Sequence, residues 1–234
     1  MVPPKFLFIT PLTPSSMMNE VRYKLHQAYL NALDSQLYSN WEVLLVGEEE
    51  KTEGKKTYLK CSGITKGDKI QLAYTYINSL PDKPEYLIRL DDDDIISPMI
   101  LEKVRDIKFD CYADKYHSFY DLNSGLISQQ KRDWLPNTVI HKMEHALQIY
   151  GEENKPLFTL DHSKYWHEYY RKKKVKWARK SHPVYLRILS ETSITANRPG
   201  SNESSENYKK YLSGFGRWKK KELKDFSLLQ LPQL

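Results

Sequence analysis

Along the first hundred residues, short continuous apolar runs alternate with stretches of helical periodicity. Phe6-Leu7-Phe8-Ile9-Thr10 predicts a strand buried on both faces. Pro11-Leu12-Thr13-Pro14 breaks it, and Ser15 or Ser16 is placed to cap the helix that follows. Val21, Leu25, Ala28, Tyr29 and Ala32 recur at helical spacing, which carries that helix to about Asp34. Trp41 to Val46 predicts a second buried strand, and Thr57 to Cys61 a third, shorter one. Gly63 to Gly67 reads as a loop. Ile70, Ala73, Ile77 and Leu80 then mark a helix ended by Pro81. Tyr86 to Leu90 is the next buried strand. The order β-α-β-β-α-β predicts an α/β fold with a largely parallel sheet.

The pattern changes after about residue 108. Ser97-Pro98 reads as an N-cap with proline at the first helical position, opening a helix to about Lys108. Asp110 to Tyr120 and Gly125 to Lys131 predict two strands around the turn Leu122-Asn123-Ser124-Gly125. Val139, Met143, Ala146 and Leu147 suggest a helix near Thr138 to Tyr150, and Leu157 to Leu160 a last strand opening onto Asp161-His162. Lys164 to Trp177 mixes bases with aromatics and reads first as an amphipathic helix with a solvated basic face. Residues 198–207 are a loop or linker, and Asn202-Glu203-Ser204 within them is a chance glycosylation match in the absence of a secretion signal. These boundaries divide the chain into a domain of residues 1–197, with halves 1–108 and 109–197, and a basic C-terminal extension of residues 198–234. No internal repeat is present.

Composition adds constraints rather than an answer. A chain of 234 residues with 40% hydrophobic positions can bury one substantial core. Two cysteines, Cys61 and Cys111, are too few for a disulfide framework or a zinc site. No apolar run approaches the roughly 18 residues of a membrane span, and the N-terminus lacks a signal-peptide pattern, so a soluble, cytoplasmic protein is expected. The net charge of +6 is unevenly placed, with Lys164 to Lys180 and Lys209 to Lys224 basic. Those stretches, with Trp218-Lys219-Lys220-Lys221, suit peripheral contact with anionic lipid, or phosphate and sugar recognition.

The chemistry concentrates in Asp91-Asp92-Asp93-Asp94, directly behind the buried strand. Open α/β sheets bind ligands at the carboxyl ends of their strands. Adjacent carboxylates raise one another's pKa unless a cation sits among them. Mg²⁺ or Mn²⁺ bridged to a phosphate is the simplest occupant. A calcium loop starting at Asp91 fails at Ile95 and Ile96, where a ligand and a glycine should stand. A phosphohydrolase with Asp91 as nucleophile needs a second acidic cluster downstream that the sequence lacks. Gly54-Lys55-Lys56-Thr57 lacks the earlier glycine of a P-loop. Without metal the aspartates would repel phosphates, so nucleic acid is not an expected partner.

Gln36-Leu37-Tyr38-Ser39-Asn40-Trp41-Glu42-Val43-Leu44-Leu45-Val46 and, later, Tyr86-Leu87-Ile88-Arg89-Leu90-Asp91-Asp92-Asp93-Asp94-Ile95-Ile96-Ser97-Pro98 resemble the motifs of family 2-like GT-A glycosyltransferases over about the first 105 residues. Leu160-Asp161-His162-Ser163 and Pro183-Val184-Tyr185-Leu186-Arg187 are similar to the rhamnosyltransferase-like branch and to small viral enzymes of that kind. The resemblance implies a Rossmann-like GT-A mixed sheet flanked by helices. It further implies a UDP-, GDP- or dTDP-sugar donor and a glycan or glycoconjugate acceptor, with inversion of configuration. Asp93 would be the direct metal ligand. Asp91 and Asp92 would contact metal or ribose hydroxyls, and Asp94 would either join them or cap the next helix. Thr10-Pro11-Leu12 would meet the nucleobase, Glu48 would replace the aspartate usual after the second strand, and Arg22 and Lys69 would contact the donor. The family's Glu-Asp pair near the acceptor helix is absent, which leaves Asp133 and Asp161 as candidate general bases, with Glu144 poorer. His162 or His182 would give a third metal ligand or touch the diphosphate. Two alternatives stand beside this reading: another α/β nucleotide-binding protein such as a nucleotidyltransferase, which shares metal and nucleotide binding, and a basic nucleic-acid-binding module, which would not need the aspartates.

Overall fold

The computed structural model describes residues 3–63, 65–191, 205–220, 222–227, 229, 231 and 232. The chain begins with β1 (Phe6–Pro11), α1 (Glu20–Asp34) and β2 (Trp41–Gly47), then the hairpin β3 (Lys51–Glu53) and β4 (Lys56–Lys60), α2 (Lys66–Ser79) and β5 (Tyr86–Arg89). After the aspartates come β6 (Ile95–Ile96), α3 (Ile100–Val104), β7 (Cys111–Asp114) and the hairpin β8 (Tyr116–Asp121) and β9 (Leu126–Lys131). β10 (Ile140–Lys142) leads into α4 (Met143–Ala146) and a small hairpin, β11 (Ile149–Tyr150) and β12 (Lys155–Pro156). The last elements are α5 (His167–Tyr170), β13 (Val175–Ala178), β14 (Tyr185–Leu189) and α6 (Ser205–Ser213).

An eight-stranded mixed sheet, ordered β13-β7-β10-β5-β1-β2-β4-β3, forms the centre. β1 pairs in parallel with β2 on one side and β5 on the other, so strand order reverses at β1. That reversal opens a crevice above the carboxyl ends of β1 and β5. β10 is antiparallel to both β5 and β7. A second sheet, β6-β14-β8-β9, starts directly after the aspartate run and covers the crevice from the other side.

The continuous apolar runs form strands because both faces of the sheet are covered. Phe6, Phe8, Val43, Leu45 and Ile88 point into one core with Leu25, Tyr29 and Leu33 of α1. Their alternates Leu7, Ile9, Leu44, Val46 and Leu87 point into a second core with Ile70, Ala73 and Ile77 of α2. A period of two along each strand and helices on opposite faces are the same fact seen twice. The expected α/β class and the mixed GT-A-like sheet are both observed.

Several local expectations are corrected. Asn19 caps α1, its side chain accepting from the Arg22 N–H at 2.9 Å, while Ser15–Met17 forms a 3₁₀ turn. α2 begins at Lys66 inside the expected glycine loop, because Thr65 and Asp68 form a capping box. Pro98 is not helical: Ile95–Ile96 is taken by β14, the Ser97 N–H donates to the Val184 carbonyl at 2.9 Å, and α3 starts at Ile100. The stretch 110–120 is two strands in different sheets, β7 and β8. The expected helix at 138–150 is β10, then one helical turn of α4, then β11. Leu157–Thr159 is a 3₁₀ turn, not a strand: the Phe158 and Leu160 carbonyls accept from the Arg89 guanidinium, and the Leu157 carbonyl accepts from the Trp166 indole N–H. Residues 164–177 form no single amphipathic helix. Tyr165, Trp166 and Tyr170 are buried, and β13 closes the stretch by pairing with β7. Residues 198–204, with the Asn202-Glu203-Ser204 match, and Lys221 lie outside the described residues.

The C-terminal residues pack against the second sheet. Tyr208 is buried with Phe119 and Leu189, and its hydroxyl donates to Asp121 at 2.7 Å. The Ser128 hydroxyl donates to the Phe215 carbonyl, and Lys219 bridges Ile127. Tyr208→Ala is expected to lower unfolding stability by about 3–5 kcal/mol and Tyr208→Phe by about 1–2 kcal/mol, read from urea midpoints. An unchanged midpoint in Tyr208→Ala would show that this packing contributes nothing.

Candidate active site

The aspartate run is a turn between β5 in the central sheet and β6 in the second sheet, closed by the Asp94 N–H donating to the Asp91 carbonyl at 3.1 Å. Three of the four carboxylates face different neighbours. The Lys66 ammonium, in the first turn of α2, lies 2.5 and 2.7 Å from the two Asp91 oxygens, and the Asn137 amide donates to Asp91 at 3.3 Å. Asp92 accepts from the Thr13 N–H at 2.6 Å and from its hydroxyl at 3.0 Å. Asp94 is buried and accepts from the Ile188 N–H of β14 at 3.1 Å. It caps no helix.

Crowding shows in the proton affinities. Burial pushes the Asp91 carboxyl up, but Lys66, with Arg89 and Arg187, outweighs it and holds it below the ordinary range. Burial raises Asp92 against the Thr13 hydrogen bonds. Burial, then the charges of Asp91 and Asp92, push Asp93 up to about 6. Burial, then Asp93 and Asp91, take Asp94 well above the carboxylate range.

One carboxylate oxygen from each of Asp91, Asp93 and Asp94 lies within 4.8 Å of the others. Oxygen donors at that spacing, two of them raised in proton affinity by burial and then by like charge, fit a hard divalent cation such as Mn²⁺ or Mg²⁺. The group therefore adds Asp94 to the expected ligands Asp91 and Asp93. No histidine belongs to it. His182 instead pairs with the buried Asp225 at 2.7 Å and with Lys103 at 3.0 Å, tying α3 to the C-terminal residues. His162 hydrogen-bonds the Leu135 carbonyl at 2.7 Å.

The cluster sits in a cavity of about 610 Å³ whose walls include Pro11, Leu12, Arg22, Lys69, Asp161 and Arg187. Lys69 is buried and its ammonium donates to the Leu12 carbonyl at 2.7 Å, which fixes the loop after β1. Arg22 reaches the Thr13 hydroxyl at 3.4 Å. The Thr10 hydroxyl is in the core, 2.6 Å from the Tyr29 hydroxyl, and Glu48 is exposed, accepting from the Ser15 N–H at 3.2 Å. Neither Thr10 nor Glu48 is among the cavity's lining residues. Asp133 is exposed and lies outside it as well. Asp161 lines the cavity, but one of its oxygens accepts from the Ser163 N–H, the Ser163 hydroxyl and the Lys164 N–H. Burial raises its pKa, yet those bonds together prevail and hold it below the ordinary range.

Lys66, Asn137, Arg187 and Thr13 were not singled out from the sequence. Lys66 carried a readable signal, a cation at a helix start behind a Thr-x-x-Asp cap. Thr13 and Asn137 are loop residues with no periodicity to betray them, and Arg187 entered only as the last residue of the Pro183–Arg187 motif, without a role.

Neither a family model nor a curated protein sequence matches the chain. Solved structures do. Residues 1–349 of TarS from S. aureus superpose with a TM-score of 0.50 at 14% identity, covering 90% of this chain and 70% of that one. A glycosyltransferase involved in glycosylation of the major capsid of PBCV-1 gives 0.39 at 10% identity, covering 90% and 100%. The 2-C-methyl-D-erythritol 4-phosphate cytidylyltransferase of Francisella tularensis gives 0.44 at 10% identity, covering 88% and 99%. The fold of this chain, a mixed sheet flanked by helices, is the GT-A fold.

Asp93 binds its proton more tightly folded than unfolded, where its value is 3.8. Its contribution to stability therefore falls as pH rises from about 4 to about 6, the reverse of a salt-bridged carboxylate. Metal-free Asp93→Asn is expected to gain melting temperature over the native chain at pH 7.5, with the gain shrinking towards pH 4. Mn²⁺ at a hundredfold excess over Kd should raise the native melting temperature by roughly 5–10 °C. Equal stabilisation of Asp93→Asn by Mn²⁺ would remove Asp93 from the metal site.

Proposed function

We propose that the chain is a metal-dependent, inverting glycosyltransferase that moves a hexose from a nucleotide-sugar donor to a glycan or glycoconjugate hydroxyl. The observation that carries this reading is the Asp91, Asp93 and Asp94 oxygen cluster at the end of β5, inside a cavity with a cationic rim. A GT-A sheet supplies the crevice, and the cluster supplies oxygen donors in it that suit a divalent ion.

When bound, the ion would neutralise the diphosphate as a Lewis acid. The protein's own groups would do the rest. Arg22 and Arg187 flank the aspartates and offer guanidinium donors to phosphate oxygens. The loop Pro11-Leu12-Thr13, fixed by Lys69 and Asp92, presents backbone to the nucleoside. Lys66 neutralises Asp91 in the metal-free state and is placed to exchange that partner for a phosphate. No described helix is long and apolar enough to cross a membrane, so membrane contact would rest on the exposed bases of residues 171–174 and 176 and on exposed Trp177.

Nucleoside diphosphate release from UDP-, GDP- and dTDP-sugars, with Mn²⁺, with Mg²⁺ and with EDTA, tests the reading. Release from one donor is expected, abolished by EDTA and reduced at least about 100-fold in Asp93→Ala. Pyrophosphate release from a nucleoside triphosphate and a sugar phosphate would instead establish a nucleotidyltransferase.

A further inference from the structure

A second cavity of about 120 Å³ adjoins the donor cavity and shares three of its lining residues, Asn137, His162 and Arg187. Its other walls are largely aromatic: Trp134, Phe119, Phe215 and Tyr185. Trp134 is 38% exposed, and Phe119 and Phe215 pack with ring centres 4.5 Å apart. Aromatic faces beside polar groups suit the apolar C–H surface of a sugar ring. Phe215 comes from the C-terminal residues, so this pocket is complete only when they are docked. The wall common to the two cavities thus holds a single histidine, with Asn137 and Arg187.

The hydrogen bonding of His162 fixes its tautomer. The Leu135 carbonyl, 2.7 Å from Nδ1, can only accept, so Nδ1 carries the proton and the neutral ring keeps its lone pair at Nε2. Among the described residues Nε2 has no hydrogen-bond partner. The charged and titratable groups facing the ring are Arg89, Asp161, Arg187 and His117. Burial, ahead of the opposing Leu135 carbonyl and Asp161, lowers its proton affinity and keeps it neutral. Asp161, the neighbouring carboxylate, has an oxygen already engaged by three donors and a depressed basicity.

Resting on the glycosyltransferase reading, we propose that His162, rather than a carboxylate, is the general base, taking the proton of a sugar hydroxyl presented from the small aromatic cavity. The acceptor oxygen forms a bond to the anomeric carbon with its lone pair. The bond from that carbon to the diphosphate oxygen breaks, and its electron pair leaves with the nucleoside diphosphate. The hydroxyl proton passes to Nε2, and the imidazolium later releases it to water. Asn137, whose amide oxygen accepts from the Tyr185 hydroxyl at 2.7 Å, stands at the same junction and serves as a positioning residue for the acceptor.

The test uses the full chain with saturating Mn²⁺, the donor panel above and aryl glycosides of glucose, galactose, mannose, rhamnose and N-acetylglucosamine as acceptor probes. His162→Ala should lose transfer by about 10²–10⁴-fold while donor affinity stays within about threefold, and imidazole should restore part of the rate. The native rate should show an acid limb with its midpoint below 6.5 that is absent in His162→Gln. Nitrogen chemical shifts should place the neutral ring's proton on Nδ1. Transfer within about threefold of native in His162→Ala, an acid limb unchanged in His162→Gln, or a proton on Nε2 would each overturn the proposal alone. A native chain that turns over no donor with any probe overturns the glycosyltransferase reading and this proposal with it.

Discussion

Four adjacent carboxylates can stand at the end of a buried strand because three of them are met by groups from different directions and the fourth holds its proton more tightly. Lys66 reaches Asp91 from α2, Thr13 reaches Asp92 from the loop after β1, and the Ile188 N–H reaches Asp94 from β14. Asp93 has the fewest fixed partners, and its raised proton affinity comes from burial and then from its neighbours Asp91 and Asp92. Electrostatic repulsion is thus the reason that three remote segments converge on one turn. It is also the reason the turn has chemical capacity, because like charge held in place is energy that a cation releases on binding.

Arg89, the residue that ends β5, performs a complementary task. Its guanidinium is buried, donates to the Phe158 and Leu160 carbonyls and lies 4.5 Å over the Trp166 ring. A cation beside four aspartates would ordinarily pair with one of them. Here it is spent on backbone carbonyls, and it fixes the segment that carries Asp161 and His162 against the carboxyl end of the sheet. It adds a side-chain tie to the strand pairings of β5 with β10 and β6 with β14 that already join the two parts of the chain.

The first hundred residues were legible because their strands are covered on both faces. A run such as Trp41-Glu42-Val43-Leu44-Leu45-Val46 needs no knowledge of its partners to be read as a buried strand. The second half was not legible for the opposite reason. Ile140–Lys142 is a three-residue strand whose identity comes from β5 and β7, so the helical spacing of Val139, Met143 and Ala146 misled. Leu157 to Leu160 looked like a strand until a tryptophan and an arginine took its carbonyls. The aspartates announced themselves by position. Thr13 and Asn137 did not, because a loop residue's role is fixed by what the rest of the chain brings to it.

The strand β14, residues 185–189, pairs with β6 and β8 and supplies both Arg187 and the N–H that meets Asp94. During synthesis the aspartates therefore emerge nearly a hundred residues before their last compensating groups. Until β14 arrives, a nascent chain with α1, α2 and the parallel strands already made holds an acidic turn with no backbone donor for its most buried carboxyl. The N-terminal half does not complete the acidic turn by itself: its assembly is finished from the far end of the chain, and the turn matures late.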